Sequence, residues 1–257
     1  MVFNKIKIRS NKTLTDDIFD LRLESPEIAK AAKPGQFVNI YMNDKAHMLP
    51  RPISICEIND GEIRVVYRRV GEGTGLLSEM KAGEFVDVMG PVGNGYDTDY
   101  INEHFSHVLL FGGGVGIPPM LELAKRLKVP ADVFLGYRDV LFLHEDFPAN
   151  VTVHISTEDG SAGTKGNVLD ALQEQGVAGD CICACGPGPM LRAIRAYSEE
   201  NNIKAYFSLE ERMACGVGAC LGCVCKTRGV DEHSQVKNAR VCVDGPVFEV
   251  DLLEYDR

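Results

Sequence analysis

Val108–Leu127 reads VLLFGGGVGIPPMLELAKRL. An apolar run, then Gly112, Gly113, Gly114 and Gly116, then apolar residues at helical spacing predict a strand, a tight glycine loop and a helix. Glycines at that junction let a pyrophosphate approach the backbone and the helix N-terminus. Pro118 and Pro119 sit where missing N–H groups do least harm to a first helical turn. The spacing is not the G-x-G-x-x-G dinucleotide fingerprint with its acidic residue, so that specific motif is absent.

Working outward, strands and helices alternate. ADVFLGYRD (131–139) and VTVHIS (151–156) read as strands, GNVLDALQEQG (166–176) as a helix and CICACG (181–186) as a strand. PMLRAIRAYSEEN (189–201) is a helix and KAYFSL (204–209) a strand. Alternation of this kind predicts a parallel sheet with crossover helices over residues 100–209. Cys185-Gly186-Pro187 repeats the strand-to-helix turn, and a close packing turn is the plain alternative for either loop alone. Two in one chain favour a dinucleotide. Thr157-Glu158-Asp159 leans toward NAD, because carboxylates repel a 2′-phosphate; Tyr137-Arg138-Asp139 is the other candidate contact. Cys181 and Cys183 are expected to pack inside the sheet.

Upstream, residues 1–99 read as all-β. FVNIYM (37–42), EIRVVYRRV (62–70) and EFVDVMG (84–90) alternate, with turn signals PG, NDG, AGE and GNG between them. Several short strands so spaced predict a small barrel or sandwich. One helix, GLLSEMKA (75–82), interrupts them. Arg51-Pro52-Ile53-Ser54 opens a β segment with a forked donor suited to a diphosphate and a hydroxyl suited to a ring edge. Arg68, Arg69, Val70, Gly73 and Thr74 lead into the helix, whose N-terminus favours phosphate. An Arg-Pro surface turn and a Thr N-cap beside an exposed basic strand are the plain alternatives.

Downstream, residues 210–257 are cysteine-rich and too poor in apolar runs to build a core unaided, so a bound metal centre would serve as a staple. Nine cysteines are many, and five lie between Cys215 and Cys242. ERMACGVGACLGCVCKT (211–227) sets Cys215, Cys220 and Cys223 at C-x₄-C-x₂-C, the plant-type [2Fe–2S] spacing. Gly216, Gly218 and Gly222 let the loop curl so that its N–H groups face the sulfurs. Cys242 is the expected fourth ligand; Cys225 is the competing candidate, or a small strand hydrophobe. Structural zinc is the chief alternative, although its usual C-x₂-C knuckles are missing from Cys215/Cys220. A disulfide set and inert buried thiols fit the spacing less well.

The net charge of −10, from 27 basic and 37 acidic residues, with no basic run, argues against nucleic acid. No apolar run is long enough to span a bilayer, and the N-terminus is not a signal sequence, so a cytoplasmic protein is expected.

RPIS with the following basic strand and helix resembles the ferredoxin–NADP reductase superfamily, whose β-barrel holds FAD, and GPVGNGY (90–96) extends the likeness. The resemblance implies that Arg51, Arg68 and Arg69 bind diphosphate and that Ser54 meets the flavin ring. It also implies that the Cys185 motif floors the nicotinamide site. There is no tryptophan to stack on the flavin, leaving Tyr67 and Tyr96 open. The order of these motifs, with EERM (210–213), the cysteine loop and VCVDGPVF (241–248), closely resembles the electron-transfer subunits of class 1B dihydroorotate dehydrogenases. That implies a chain carrying FAD and a [2Fe–2S] cluster and using NAD. It implies a partner, an FMN-containing catalytic subunit that oxidises dihydroorotate, in a heterotetramer of two subunits of each type. The small subunit of a bifurcating NADH-dependent ferredoxin:NADP oxidoreductase is the nearest rival; its relatives carry aspartate where this chain has Cys215. A zinc-stapled binding module is the rival from another class.

Overall fold

The computed structural model describes residues 1–42, 44, 46–230 and 235–254. Six strands, β1 (Val2–Thr13), β2 (Ile18–Glu24), β3 (Phe37–Tyr41), β4 (Arg51–Asn59), β5 (Glu62–Arg68) and β6 (Phe85–Val92), close an antiparallel barrel in the order β1-β2-β5-β4-β3-β6. Closure removes the free edges that an open sheet would expose. Alternation sets the core: Ile6, Ile8, Leu21, Leu23, Val38, Ile40, Val65 and Val88 point inward and are buried. Two helices accompany the barrel, α1 (Pro26–Ala31) and α2 (Glu72–Glu79). Ser25 caps α1, its hydroxyl accepting from the Ile28 N–H. The expected helix after Gly73-Thr74 starts earlier, so both residues lie inside the first turn of α2.

Helix α3 (Thr98–His104) links the barrel to a seven-stranded sheet, and the boundary expected at residue 99 falls within it. The sheet contains β7 (Val108–Gly113), β8 (Ala131–Tyr137), β9 (Val151–Thr157), β10 (Thr164–Lys165), β11 (Cys181–Cys185) and β12 (Lys204–Ser208), all parallel. Helices α4 (Ile117–Arg126), α5 (Val168–Gln175) and α6 (Gly188–Glu200) make the crossovers. The order β10-β9-β8-β7-β11-β12 reverses direction between β7 and β11. Ligand crevices in open α/β sheets form at such a switch point, and both glycine motifs leave the sheet there.

The cysteine-rich segment is a short hairpin, β13 (Val224–Lys226) with β14 (Asn238–Arg240), followed by β15 (Val247–Glu249). Strand β15 pairs antiparallel with β12 as the seventh strand of the large sheet. The third segment is therefore sewn into the second, and Cys223, Val241, Cys242 and Phe248 share a core with Phe111, Phe207 and Phe37 of the barrel.

Candidate functional site

At the switch point the two glycine loops touch backbone to backbone. A Cβ on Gly116 would come within 2.2 Å of the Cys185 carbonyl oxygen, and one on Gly113 within 2.9 Å of Pro187 Cδ. A Cβ on Gly186, at φ +157, would come within 3.1 Å of the Gly113 backbone. Gly112 is crowded by Ile117, while Gly114, at φ +53, faces open space. Glycine at these positions lets two helix N-termini converge on one cleft.

That cleft, of about 840 Å³, runs between the barrel and the sheet. Gly113, Gly114, Tyr137, Arg138, Glu158, Pro187 and Arg68 all line it. The Thr15–Asp17 turn between β1 and β2 lines it too, and sequence reasoning missed that turn because its polar composition is that of any loop. Glu158 is placed to meet a bound ligand, but Asp159 accepts from the N–H and hydroxyl of Ser161, at 3.0 and 2.7 Å. Those bonds hold the Asp159 carboxyl below its usual range, so this residue shapes its own turn. Cys185 is buried beneath the cleft and does not line it, and desolvation pushes its thiol well up.

On the barrel, Arg51 opens β4 and its guanidinium folds across the first turn of α2. A Cβ on Gly73 would lie 2.0 Å from Arg51 Nε. Arg51 Nη1 donates to the carbonyls of His47 and Leu49, which holds the fork in place. Thr74 uses its hydroxyl locally, accepting from the N–H groups of Val70 and Gly71 at 2.9 and 3.1 Å. It acts as a reach-back cap, so its hydroxyl is committed to its own turn. Pro52, Ile53 and Ser54 follow Arg51 on β4, half-buried and paired with β3. Arg68 and Arg69 diverge from Arg51: Arg68 pairs with Asp17 at 3.1 Å, and Arg69 lies over Phe19 at 5.8 Å. Val70 is exposed. Tyr67 stacks on Phe19 inside the barrel and Tyr96 donates to the Ala184 carbonyl. Both tyrosines are buried and committed to the core.

The thiols come together two and two. Cys215 Sγ accepts from the N–H groups of Val217, Ala219 and Cys220 at 3.3–3.4 Å. Cys220 Sγ accepts from Cys215 N–H at 3.5 Å and Gly222 N–H at 3.4 Å. Burial opposes ionisation of Cys215, but the Val217 N–H, the Cys220 thiol and the other N–H groups outweigh it and draw the thiol down to about 7. Burial, and then Cys223 beside it, pushes the Cys242 thiol up to about 12, while Gly218 N–H donates to it. The charge of Cys215 reaches Cys242 as well. Cys225 sits apart on β13 opposite Ala239, pushed up to about 11 chiefly by burial, with Glu211 and Asp244 as its charged neighbours. Among the described residues no three His, Cys, Asp or Glu side chains close on a single metal ion.

A family description, the iron-sulfur cluster binding domain of dihydroorotate dehydrogenase B, matches residues 210–254. The dihydroorotate dehydrogenase B (NAD(+)) electron transfer subunit of Fusobacterium nucleatum is 40% identical over 254 residues, 94% of each chain. The subunit of the same name from Lysinibacillus sphaericus is 41% identical over 252 residues, 95% of each chain. The chain belongs to the dihydroorotate dehydrogenase B electron-transfer-subunit family.

Solved structures agree with the family's architecture. A NADH-dependent reduced ferredoxin-NADP oxidoreductase studied for flavin-based electron bifurcation superposes with a TM-score of 0.86 at 30% identity. The match covers 98% of this chain and 90% of that one. A ferredoxin NADP+ reductase of Neisseria gonorrhoeae with bound FAD and NADP gives 0.62 at 15% identity, covering 77% and 91%, which speaks for the fold alone. Identity to the electron transfer subunits exceeds identity to the bifurcating enzyme. In this family member the first position of the cysteine loop is a thiol, Cys215, held by three N–H groups.

Proposed function

We propose that the chain carries electrons between a dihydroorotate-oxidising catalytic subunit and NAD, using a [2Fe–2S] cluster and FAD. The observation that carries this reading is the paired thiols. Cys215, Cys220, Cys223 and Cys242 would supply the four thiolates that hold the cluster, and backbone N–H groups are already aimed at the sulfurs. When bound, the cluster exchanges single electrons and the flavin one or two, so together they join an obligate one-electron centre to a hydride carrier.

The protein's own contribution is placement. Arg51 and the first turn of α2, with Gly73 and Thr74, form the diphosphate cradle for FAD, and Ile53 and Ser54 lie along the strand that would face its ring. The packed loops Gly112–Gly116 and Cys185–Pro187 receive the dinucleotide at the switch point, where Arg68 also reaches the cleft. Glu158 opposes a 2′-phosphate and favours NAD over NADP. The functional division we assign is 1–99 for FAD, 100–209 for NAD and 210–257 for the cluster.

Exposed Val217, Leu221 and Val243 surround the thiols, so the cluster edge is where the catalytic subunit would dock. We assign a heterotetramer with two of each subunit in the cytoplasm; no helix among the described residues is long and apolar enough to cross a membrane. The test is reconstitution with the FMN-containing subunit. Dihydroorotate-dependent NAD⁺ reduction should require both chains. Equal rates without this chain would remove the proposal.

A further inference from the structure

Asn39 is a fully buried polar side chain on an otherwise apolar strand. Its neighbours Val38 and Ile40 point into the barrel, so Phe37, Asn39 and Tyr41 point outward. That outer face is covered by the cysteine loop: Asn39 Nδ2 donates to the Gly216 carbonyl at 3.1 Å. The contact is close, since a Cβ on Gly216, which sits at φ +65, would lie 2.4 Å from Nδ2.

The Gly216 carbonyl belongs to the same peptide plane as the Val217 N–H, and in a trans peptide the two point in opposite directions. The Val217 N–H is one of the three that reach Cys215 Sγ, at 3.4 Å. A donor on one end of the plane therefore fixes the direction of the other. It also polarises the amide and strengthens its N–H as a donor, because hydrogen bonds in a chain reinforce one another.

The opposite atom of the side chain supports this reading. Asn39 Oδ1 is buried and has no hydrogen-bond partner among the described residues. Turning the amide over would set two oxygens face to face at Gly216, so the carbonyl there dictates which end points where. A buried acceptor left unmatched is costly, and its retention needs a reason. Across the barrel strands Asn39 is opposite Pro52, beside Arg51. The strand pair that presents the flavin-binding motif thus also grips the cysteine loop.

We propose that Asn39 is a positioning residue for the iron–sulfur centre. By holding the Gly216–Val217 peptide it aims an N–H at Cys215 Sγ, and so stabilises the more negative, reduced cluster. This rests on the four thiols holding that cluster, so the test separates the two ideas. Iron, labile sulfide and FAD are first counted in the wild type, in Asn39→Leu and in Asn39→Ser. The midpoint potentials of cluster and flavin are then measured by titration monitored by electron paramagnetic resonance and absorbance.

Asn39→Leu keeps the volume and removes the donor. At a fixed poise it should hold roughly tenfold less reduced cluster, about 59 mV for a one-electron couple. Asn39→Ser, which retains a hydroxyl donor, should fall between Leu and the wild type, and the flavin potential should stay put in both. Should Asn39→Leu lose its iron, the sign of the shift in Asn39→Ser decides. Unchanged cluster potentials would overturn the proposal. Loss of iron from both variants would overturn it too, making Asn39 a structural clamp. A wild-type chain without iron would instead remove the cluster reading on which it stands.

Discussion

At the scale of single residues, the thiols divide by their surroundings. Cys242 lies beside Cys223 and receives the Gly218 N–H, whereas Cys225 faces Ala239 across a hairpin. Cys242→Ser should therefore cost the chain its cluster, and Cys225→Ser should leave iron content within about a tenth of wild type (a serine is nearly isosteric at a packing position). Iron and labile-sulfide analysis of the two variants checks this; the reverse pattern would exchange their roles. Glu158 has a similarly local role. Glu158→Gln should narrow the preference for NAD over NADP by roughly tenfold, the worth of about 1.4 kcal/mol of lost charge repulsion, as read from the ratio of kcat/KM values. An unchanged ratio would place the ribose elsewhere. Arg51, the glycine loop and C-x₄-C-x₂-C could be picked out as candidates in the sequence because short patterns carry their chemistry with them. The hydrogen bonds that Thr74 and Asp159 make within their own turns could not be chosen from the alternatives. Whether a hydroxyl or carboxylate faces a ligand or turns back to its own loop depends on backbone angles that residue type leaves open.

Among elements, the contact between the β7–α4 and β11–α6 turns leaves no room for a side chain. Gly116→Ala would force a methyl group into the Cys185 carbonyl, 2.2 Å away. Either loop must then move. We expect KM for NADH to rise at least about tenfold, with flavin and iron content unchanged; steady-state kinetics beside cofactor analysis measures both. Normal KM would mean that the loops do not receive the dinucleotide. The cysteine segment is the converse case, with little core of its own. Removing the iron should abolish hydrogen-exchange protection in β13 and β14 while β7 and β11 keep theirs, because only the latter are buried within the sheet. Equal protection with and without iron would show that the hairpin folds unaided. The strands and helices of residues 100–209 were readable from periodicity, whereas the long β1 and β2 were not singled out. Three-residue β15 was not readable either, since its place beside β12 depends on a partner from another segment and not on any local pattern.

For the molecule as a whole, electron transfer depends on barrel and sheet keeping one relative position. Arg64 is central to that. From β5 it bonds Asp20 through Nε and Nη2, at 3.0 and 2.9 Å, and Asp146 of the neighbouring domain through Nη1 at 2.6 Å. Glu57, also within reach of Arg64, pairs with Lys125 on α4, and buried Glu122 accepts from the Ile58 N–H on β4. Arg64→Met would strand the buried carboxylate of Asp20. It should cost about 3–5 kcal/mol, the range for breaking a buried pair from one side, seen as a lower urea midpoint. A neutral effect would mean that solvent reaches the network. The three-part plan was visible in composition and periodicity, but this interface was not, because its charges are scattered through segments that each look like ordinary surface.

We assign to four thiols of this chain a two-iron cluster that exchanges electrons with a flavin fed by NADH. Anaerobically purified chain, reduced with NADH, should contain one FAD, two irons and two labile sulfides, and should develop the electron paramagnetic resonance signal of one reduced [2Fe–2S] centre. A colourless chain holding stoichiometric zinc, silent after NADH is added, would contradict it.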